Sequence, residues 1–383
     1  MDFFDSVKNN YVAIIGAMWG DEGKGRIVHQ FSKHFDWVVR YSGAANAGHT
    51  LYRNGKKYVH HLLPSVDWST SSAKAFLGSG MVIDLDQLLK EIEEAEVDFP
   101  GTGEKVYVDP DAFLVLPHHK EEDKAKNQHI GSTNKGVGPA YVEKINRAGT
   151  RVSDVMNSDI VLRLRKVGVQ FRYVLSLVED FKRAKVLFEG AQGVLLDINH
   201  GTYPYVTCSD TSLSGIYASG FGFLPRPTVL GVTKAYVTRV GAGPFPTELE
   251  GEVADKLRAL GKEYGATTGR PRRVGWMDLP ALKYACLKGS IDMLVITKMD
   301  IFQDFDYFNV CEKYNVDVYS MHVLKDMKNI NVLNKEIKSW KESSFNDSDF
   351  VNYVEYIKDQ VGISVHSVSV GVTDQDLMLL KNE

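Results

Sequence analysis

The chain has little of what would mark a secreted, membrane-bound or nucleic-acid-binding protein. Only three cysteines occur among 383 residues, Cys208, Cys286 and Cys311. An odd number at wide spacing excludes a disulfide framework and a zinc knuckle, and suits a reducing, cytoplasmic compartment. No apolar run approaches the roughly 18 residues of a membrane span. The opening MDFFDSVKNN lacks the basic and apolar regions of a signal peptide, so we expect a soluble protein inside a cell. The formal net charge is only -4, which gives no global field for nucleic acid or an anionic membrane. Internal repeats and low-complexity linkers are also absent.

What is present is an alternation of short apolar runs and amphipathic stretches. YVAIIGA (11–17) reads as a buried strand, with a helix from Gly25 to Lys33. WVVRYS (37–42), KAFLGSG (74–80), AKVLFEGA (184–191), DMLVITKMD (292–300) and GISVHSVSVG (362–371) read as further strands. LYRNGKKYVHHLL (51–63) reads as a hairpin around Asn54-Gly55. DLDQLLKEIEEAE (84–96) reads as a helix capped by Asp84. We expect one long strand over 228–243, helix over 169–183, and helix over 330–360. The alternation argues for an α/β fold, a large, mostly parallel central sheet flanked by helices, with excursions. We expect a single domain over residues 1–383. Polar clusters at strand ends lie where such sheets bind ligands.

The first of these clusters is WGDEGKG, between strand and helix. Its glycines, with Gly16, Gly20, Gly23 and Gly25 in the run, allow close backbone approach. The helix N-terminus and Lys24 add positive charge, so the turn reads as a P-loop-like phosphate cradle. Neither G-x-x-x-x-G-K-[ST] nor G-x-G-x-x-G fits it. Two carboxylates, Asp21 and Glu22, sit oddly beside phosphate. A carboxylate there serves a bound Mg²⁺ or removes a proton; Asp21 could equally cap the helix. In NAGHT (46–50), Gly48 offers a carbonyl to a metal, and His49 is either a proton donor or a structural histidine.

WGDEGKG followed by NAGHT resembles adenylosuccinate synthetase. Further blocks match in order: GSTNKGVGPAYVEKINRAG (131–149), FEGAQGVLLDINHGTYPYVT (188–207), VTKAYVTRVGAGPFPTE (232–248), GATTGRPRRVGWMD (265–278) and TKMD (297–300). After about residue 302 the match weakens. The resemblance implies GTP-driven ligation of L-aspartate to C6 of IMP through a 6-phosphoryl intermediate, a C–N-forming ligase of purine biosynthesis that uses Mg²⁺. In that reading Asp21 takes the N1 proton of IMP and ligates Mg²⁺ together with Gly48. His49 stabilises the transferring phosphoryl group.

GTP contacts are implied for Gly20, Glu22, Gly23, Lys24, Gly25, Arg26, Gly48, Thr50, Arg272, Lys298, Asp300, Ser369 and Gly371. Asp300 can accept hydrogen bonds from guanine N1–H and N2–H₂, although a strand-end carboxylate is also often just exposed. IMP contacts are implied for Asp21, Lys24, Asn46, His49, Ser132, Thr133, Arg147, Gln192, Thr207 and Arg270. Arg147 would reach the partner's nucleotide, which implies a homodimer with shared sites. The loop Ala266, Thr267, Thr268, Gly269, Arg270 and Arg272 would hold aspartate. No nucleic acid and no membrane are implied as partners.

The compact length resembles archaeal and phage members. A phage branch uses dGMP to make N6-succino-2-amino-2'-deoxyadenylate, commonly with a small residue in place of the motif aspartate. Asp21 favours IMP; Ser132, where many members have threonine, and the length lean towards dGMP. A guanine-nucleotide switch would also carry TKxD, but it lacks a Walker-type loop here and leaves NAGHT and ATTGRPRR without a role.

Overall fold

In the computed structural model, residues 7, 9–46, 48–53, 56–126, 133–265, 269–371, 373 and 376–380 are described. Ten strands form one sheet: β1 (Tyr11–Gly16), β2 (Trp37–Arg40), β3 (Lys74–Leu77), β4 (Val106–Val108), β5 (Gln170–Phe171), β6 (Val186–Glu189), β7 (Thr228–Lys234), β8 (Met293–Thr297), β9 (Ser364–Ser369) and β10 (Leu377–Leu379). Their spatial order is β10-β9-β8-β7-β1-β6-β2-β3-β4-β5. The described neighbours pair in parallel except β9 and β10.

The strands read as unbroken apolar runs because both faces are covered. On β1, Ala13 and Ile15 join one core cluster while Val12 and Ile14 join the other. Each face of the sheet thus has its own core, and the period-2 alternation of the strand divides the residues between them. Parallel neighbours also bring the carboxyl ends of β1, β2, β6, β7, β8 and β9 to one edge, where ligands of such sheets bind.

The helices named below are α1 (Lys24–Phe31), α2 (Leu85–Asp98), α3 (Pro117–Lys126), α4 (Val137–Asn146), α5 (Gly251–Gly261), α6 (Leu279–Lys288) and α7 (Ser348–Val361). Asp84 caps α2 as expected, accepting from the Gln87 amide at 3.2 Å. The expected hairpin is present as His49–Arg53 against Lys56–His60; Asn54 and Gly55 lie outside the described residues.

Three expectations need correction. The 228–243 run is two strands: β7 ends at Lys234, and Val237–Arg239 leaves to pair with Arg273–Gly275. Lys234 turns inward onto a buried carboxylate there, which ends the strand. Residues 169–183 hold the short β5, a 3₁₀ turn (Val174–Leu177) and an α-helix only from Val178 to Arg183. In 330–360, Val332–Lys338 is a strand antiparallel to Tyr307–Tyr314. Pairing with that neighbour overrides local helix preference. Helix α7 begins only at Ser348, capped by Asp347, whose carboxylate accepts from the Asp349 amide at 2.9 Å.

Candidate active site

The turn after β1 is held from inside by Glu22. This carboxylate is buried, accepts from the amides of Met18 at 3.1 Å and Gly20 at 2.8 Å, and pairs with Lys24 at 2.7 Å. Its side chain is committed to the turn. Gly20 and Gly23 have φ of 86° and 97°, a region that suits glycine. Gly23 is the N-cap of α1 and has no side-chain cap, so the capping alternative for Asp21 falls. Asp21 itself has φ 61° and a partly exposed carboxylate, whose Oδ2 lies 2.7 Å from Arg272 Nε.

His49 sits against the start of α1. A Cβ on Gly25 would come within 2.7 Å of the His49 Cβ, so only glycine lets the helix and the imidazole meet. His49 Nδ1 pairs with the fully buried carboxylate of Glu189, at the end of β6, and lies 3.1 Å from Ser65 Oγ. Glu189 also accepts from the Ser65 amide at 2.7 Å and the Ser65 hydroxyl at 2.6 Å. Burial alone would raise the Glu189 pKa. The His49 imidazole, the Arg40 guanidinium and the Ser65 hydroxyl outweigh it and hold the carboxyl down at about 2. An ionised Glu189 accepts from Nδ1–H and so fixes the orientation of the ring. Behind them, Glu91 accepts from the amides of Leu62 and Leu63 at 3.0 Å each, which fixes the loop that carries Ser65.

A second buried carboxylate, Glu263, follows α5. It accepts from Lys234 Nζ at 2.7 Å, Tyr236 Oη at 2.5 Å and Arg272 Nη1 at 2.7 Å. Burial would raise its pKa, but Lys234 and Arg272 hold it down at about 2. Burial in turn lowers the Lys234 pKa. Arg239, Arg270, Arg272 and Arg273 line a cleft of about 80 Å³ with Val240, Gly241, Gly265 and Pro271. Arg239 is fixed there by carbonyls of Ala242 at 3.1 Å and Pro244 at 2.9 Å. Burial and the neighbouring Arg273 lower its pKa to about 9.

At the other end of the edge, Lys298 has φ 62° and donates from Nζ to the Gly261 carbonyl at 3.0 Å. Burial lowers the Lys298 pKa and raises that of Asp300. Arg26 ties α1 to the end of β9, donating to Ser369 Oγ at 2.6 Å and to the Gly371 carbonyl.

The structure therefore brings Asp21, Lys24, Gly25, His49 and Arg272 together, and joins Arg26 to Ser369 and Gly371. Asn46, Gly48 and Gln192 lie in the loops after β2 and β6; Gln192 has φ 54°. Thr207 contacts Ser209 Oγ at 3.4 Å. Thr133 precedes α4 and Arg147 is its left-handed C-cap, both exposed. Neither is hydrogen-bonded to Asp21 or His49 among the described residues. Gly269, at φ 65°, is exposed. Ser132, Ala266, Thr267 and Thr268 lie outside the described residues, as does the Thr50 side chain. Sequence reasoning missed Glu189, Glu263, Lys234, Arg239 and Ser65. The signal for Glu189 and Lys234 was a charge closing an otherwise apolar strand, which needs a buried partner.

The family profile described as adenylosuccinate synthetase matches residues 13–181 and 163–378. Among curated relatives, the adenylosuccinate synthetase of Petrotoga mobilis is 43% identical, over 97% of this chain and 97% of its own length. That of Thermotoga maritima is 40% identical, over 95% of this chain and 98% of its own. Among solved structures, the fully ligated adenylosuccinate synthetase of Plasmodium falciparum has a TM-score of 0.88 at 31% identity, covering 97% of this chain and 100% of that one. The cyanophage S-2L succinoaminodeoxyadenylate synthetase, bound to dGMP and dATP, has a TM-score of 0.70 at 23% identity, over 96% of this chain and 94% of that one; the likeness is of fold alone. With this identity sustained over nearly its whole length, the chain belongs to the adenylosuccinate synthetase family, ligases that form a carbon–nitrogen bond.

Proposed function

We propose that this chain uses GTP to ligate L-aspartate to C6 of IMP, giving adenylosuccinate in the AMP branch of purine nucleotide synthesis. One observation carries the reading. Asn46 Oδ1, Gln192 Oε1 and Asp300 Oδ1 are buried acceptors without a hydrogen-bond partner among the described residues. Buried polar atoms are nearly always paired. Orphaned acceptors in the segments that follow three strands at one sheet edge fit ligands rich in N–H groups, as purine nucleotides are.

Asp21 is the base. It accepts the N1 proton of IMP, and O6 then attacks the γ-phosphorus of GTP. The O6–P bond forms as the bond to the β-phosphate oxygen breaks and GDP leaves. His49, steadied at Nδ1 by Glu189, directs Nε2 at the transferring phosphoryl group. The amine of aspartate then attacks C6; the C6–N bond forms, the C6–O6 bond breaks, phosphate departs with help from His49, and the proton the amine loses passes to water. The turn 20–25 cradles the phosphates of GTP, with Lys24 as its cation. Asp300 accepts from guanine, with Lys298 beside it. The arginine cleft suits the two carboxylates of aspartate, because guanidinium forks pair with carboxylates.

The donors fit Mg²⁺: the Asp21 carboxylate and the Gly48 carbonyl are hard oxygens on exposed residues. When bound, the ion neutralises charge on the transferring phosphoryl group. We read residues 1–383 as one domain acting in the cytoplasm. Three free cysteines suit that compartment, and among the described residues no helix is long and apolar enough to cross a membrane. We read the working unit as a homodimer in which Arg147 serves the partner's IMP site. The support is its exposed left-handed cap beside Val142 and Ile145, which are 56% and 74% exposed.

The test offers IMP and dGMP separately with aspartate, Mg²⁺ and GTP, and identifies products by mass. Adenylosuccinate from IMP is expected. A succinylated product from dGMP with none from IMP would overturn the choice of acceptor.

A further inference from the structure

Arg272 is a single guanidinium between two carboxylates of different standing. Glu263 is 1% exposed and meets Nη1 at 2.7 Å; Asp21 is 35% exposed and meets Nε at 2.7 Å. The two faces cannot be equivalent. A buried, charge-balanced pair is held by low dielectric, whereas a partly exposed one is screened and exchanges readily.

Local structure delivers Glu263 to this spot. Helix α5 ends on Lys262 in the left-handed region (φ 52°), and the chain doubles back so that the Glu263 amide donates to the Arg258 carbonyl at 2.9 Å. Gly261 leaves room for Tyr236, since a Cβ there would lie 2.2 Å from the tyrosine oxygen. Tyr236 and Lys234 then occupy one carboxylate oxygen of Glu263 while Arg272 takes the other. The Arg272 amide also donates to the Glu263 carbonyl at 2.9 Å, so backbone and side chain fix the same arginine. Lys234 is itself anchored to Thr238 Oγ1 at 2.9 Å.

We propose that Glu263 is a positioning residue for the ligation: it clamps Nη1 of Arg272 from beneath and so keeps the Nε edge of the guanidinium, in ion-pair contact though not hydrogen-bonded, against the Asp21 carboxylate that removes the substrate proton. This rests on the role given to Asp21 above. Asp21 lies in a glycine-rich turn at positive φ, and Arg272 is the ion-pair partner of its carboxylate among the described residues. Without Glu263, Arg272 keeps its charge but loses its direction.

The experiment is a double-mutant cycle on initial rates of adenylosuccinate formation with wild type, Glu263→Gln, Arg272→Gln and the double variant. For Glu263→Gln we expect kcat to fall about 100-fold, the scale of a misplaced catalytic group, with the KM for IMP changed less than about threefold. In the Arg272→Gln background, Glu263→Gln should change kcat by less than about twofold, because the group it positions is gone. Additive losses would show that Glu263 acts by another route and would overturn the proposal. Should Glu263→Gln fail to fold, Lys234→Met with Glu263→Gln removes the buried pair as a neutral unit, which proteins tolerate better than a lone buried charge. That variant should show the same kcat loss, and near-normal kcat in it would also overturn the proposal. A wild-type chain that made no adenylosuccinate would sink the proposed function instead.

Discussion

Replacing Glu189 by glutamine should disable His49 without disturbing substrate binding. The carboxylate is fully buried, holds His49 at Nδ1 and takes two hydrogen bonds from Ser65. Glutamine is the same shape and can keep the bond from the Ser65 amide. Its NH₂ then faces the imidazole, so Nδ1 must accept instead of donate, and the opposite tautomer is selected. The negative charge that favours an imidazolium during phosphoryl transfer is lost as well. A hydrogen bond to a charged group contributes about 1.5–3 kcal/mol, which converts to a kcat loss of roughly 10- to 150-fold. Glu189 is fully buried and would touch no ligand, so KM values for GTP, IMP and aspartate should stay within about twofold. The assay is steady-state adenylosuccinate formation, with a denaturation curve alongside, because buried Arg40 loses a neighbouring charge. A properly folded variant whose kcat lies within about threefold of wild type would refute the reasoning.

Gly25→Ala should also displace His49, because the new methyl would lie 2.7 Å from His49 Cβ and 2.9 Å from Cγ. Overpacking of this kind costs about 1–3 kcal/mol, and the check is a kcat loss alongside the denaturation midpoint; unchanged values for both would refute it. Asp300→Asn puts an amide donor where guanine presents donors, so the KM for GTP should rise about tenfold or more while those for IMP and aspartate hold; retained preference for GTP over ATP would place base recognition elsewhere. Acid should destabilise the fold in a defined window. Glu189 and Glu263 are held at about 2 against the usual 4.5. In the unfolded chain they take up protons first, so their contribution is present above about pH 4.5 and drains away as pH falls towards 2. A urea midpoint that is flat from about pH 5 to pH 3 would count against this. Arg147→Leu mixed with Asp21→Ala should regain activity if sites are shared across a dimer, and no regain would argue that each chain works alone.

The strand, turn and helix at residues 11–31 were legible because their signals are local: an apolar run, a glycine turn and an amphipathic continuation. The Asp84 cap was legible for the same reason. The sequence pattern could not show which carboxylate meets which cation. Glu263 meets Lys234 across 29 residues and Ser65 meets Glu189 across 124, and such pairings follow from strand order. Strand order also decides the tail. Val332–Lys338 carries enough lysine, glutamate and asparagine to pass for an exposed helix, and becomes a strand because Tyr307–Tyr314 offers it an edge. For Asp21 the cap reading stayed open until the backbone placed the N-cap at Gly23.

That placement also resolves the oddity of two carboxylates in a turn suited to phosphate. Three glutamates approach the site, Glu22, Glu189 and Glu263, and all are buried. Each sits behind a basic side chain: Lys24, His49 and Arg272 respectively. A buried carboxylate needs such a partner, and a cation so paired is fixed in direction. The three glutamates are therefore each tied within the protein to a basic side chain. Pairing of Glu22 with Lys24, and of Glu263 with Lys234 and Arg272, offsets the repulsion these carboxylates would exert on polyphosphate. Asp21 is the exception among these acids. It is partly exposed, and its one described ion pair is to an arginine that already holds a second, better-protected partner. Burial thus separates the carboxylates by what they do. Those sealed beneath the loops orient basic side chains, and the one left at the surface can exchange partners, as the proposed roles of base and metal ligand require.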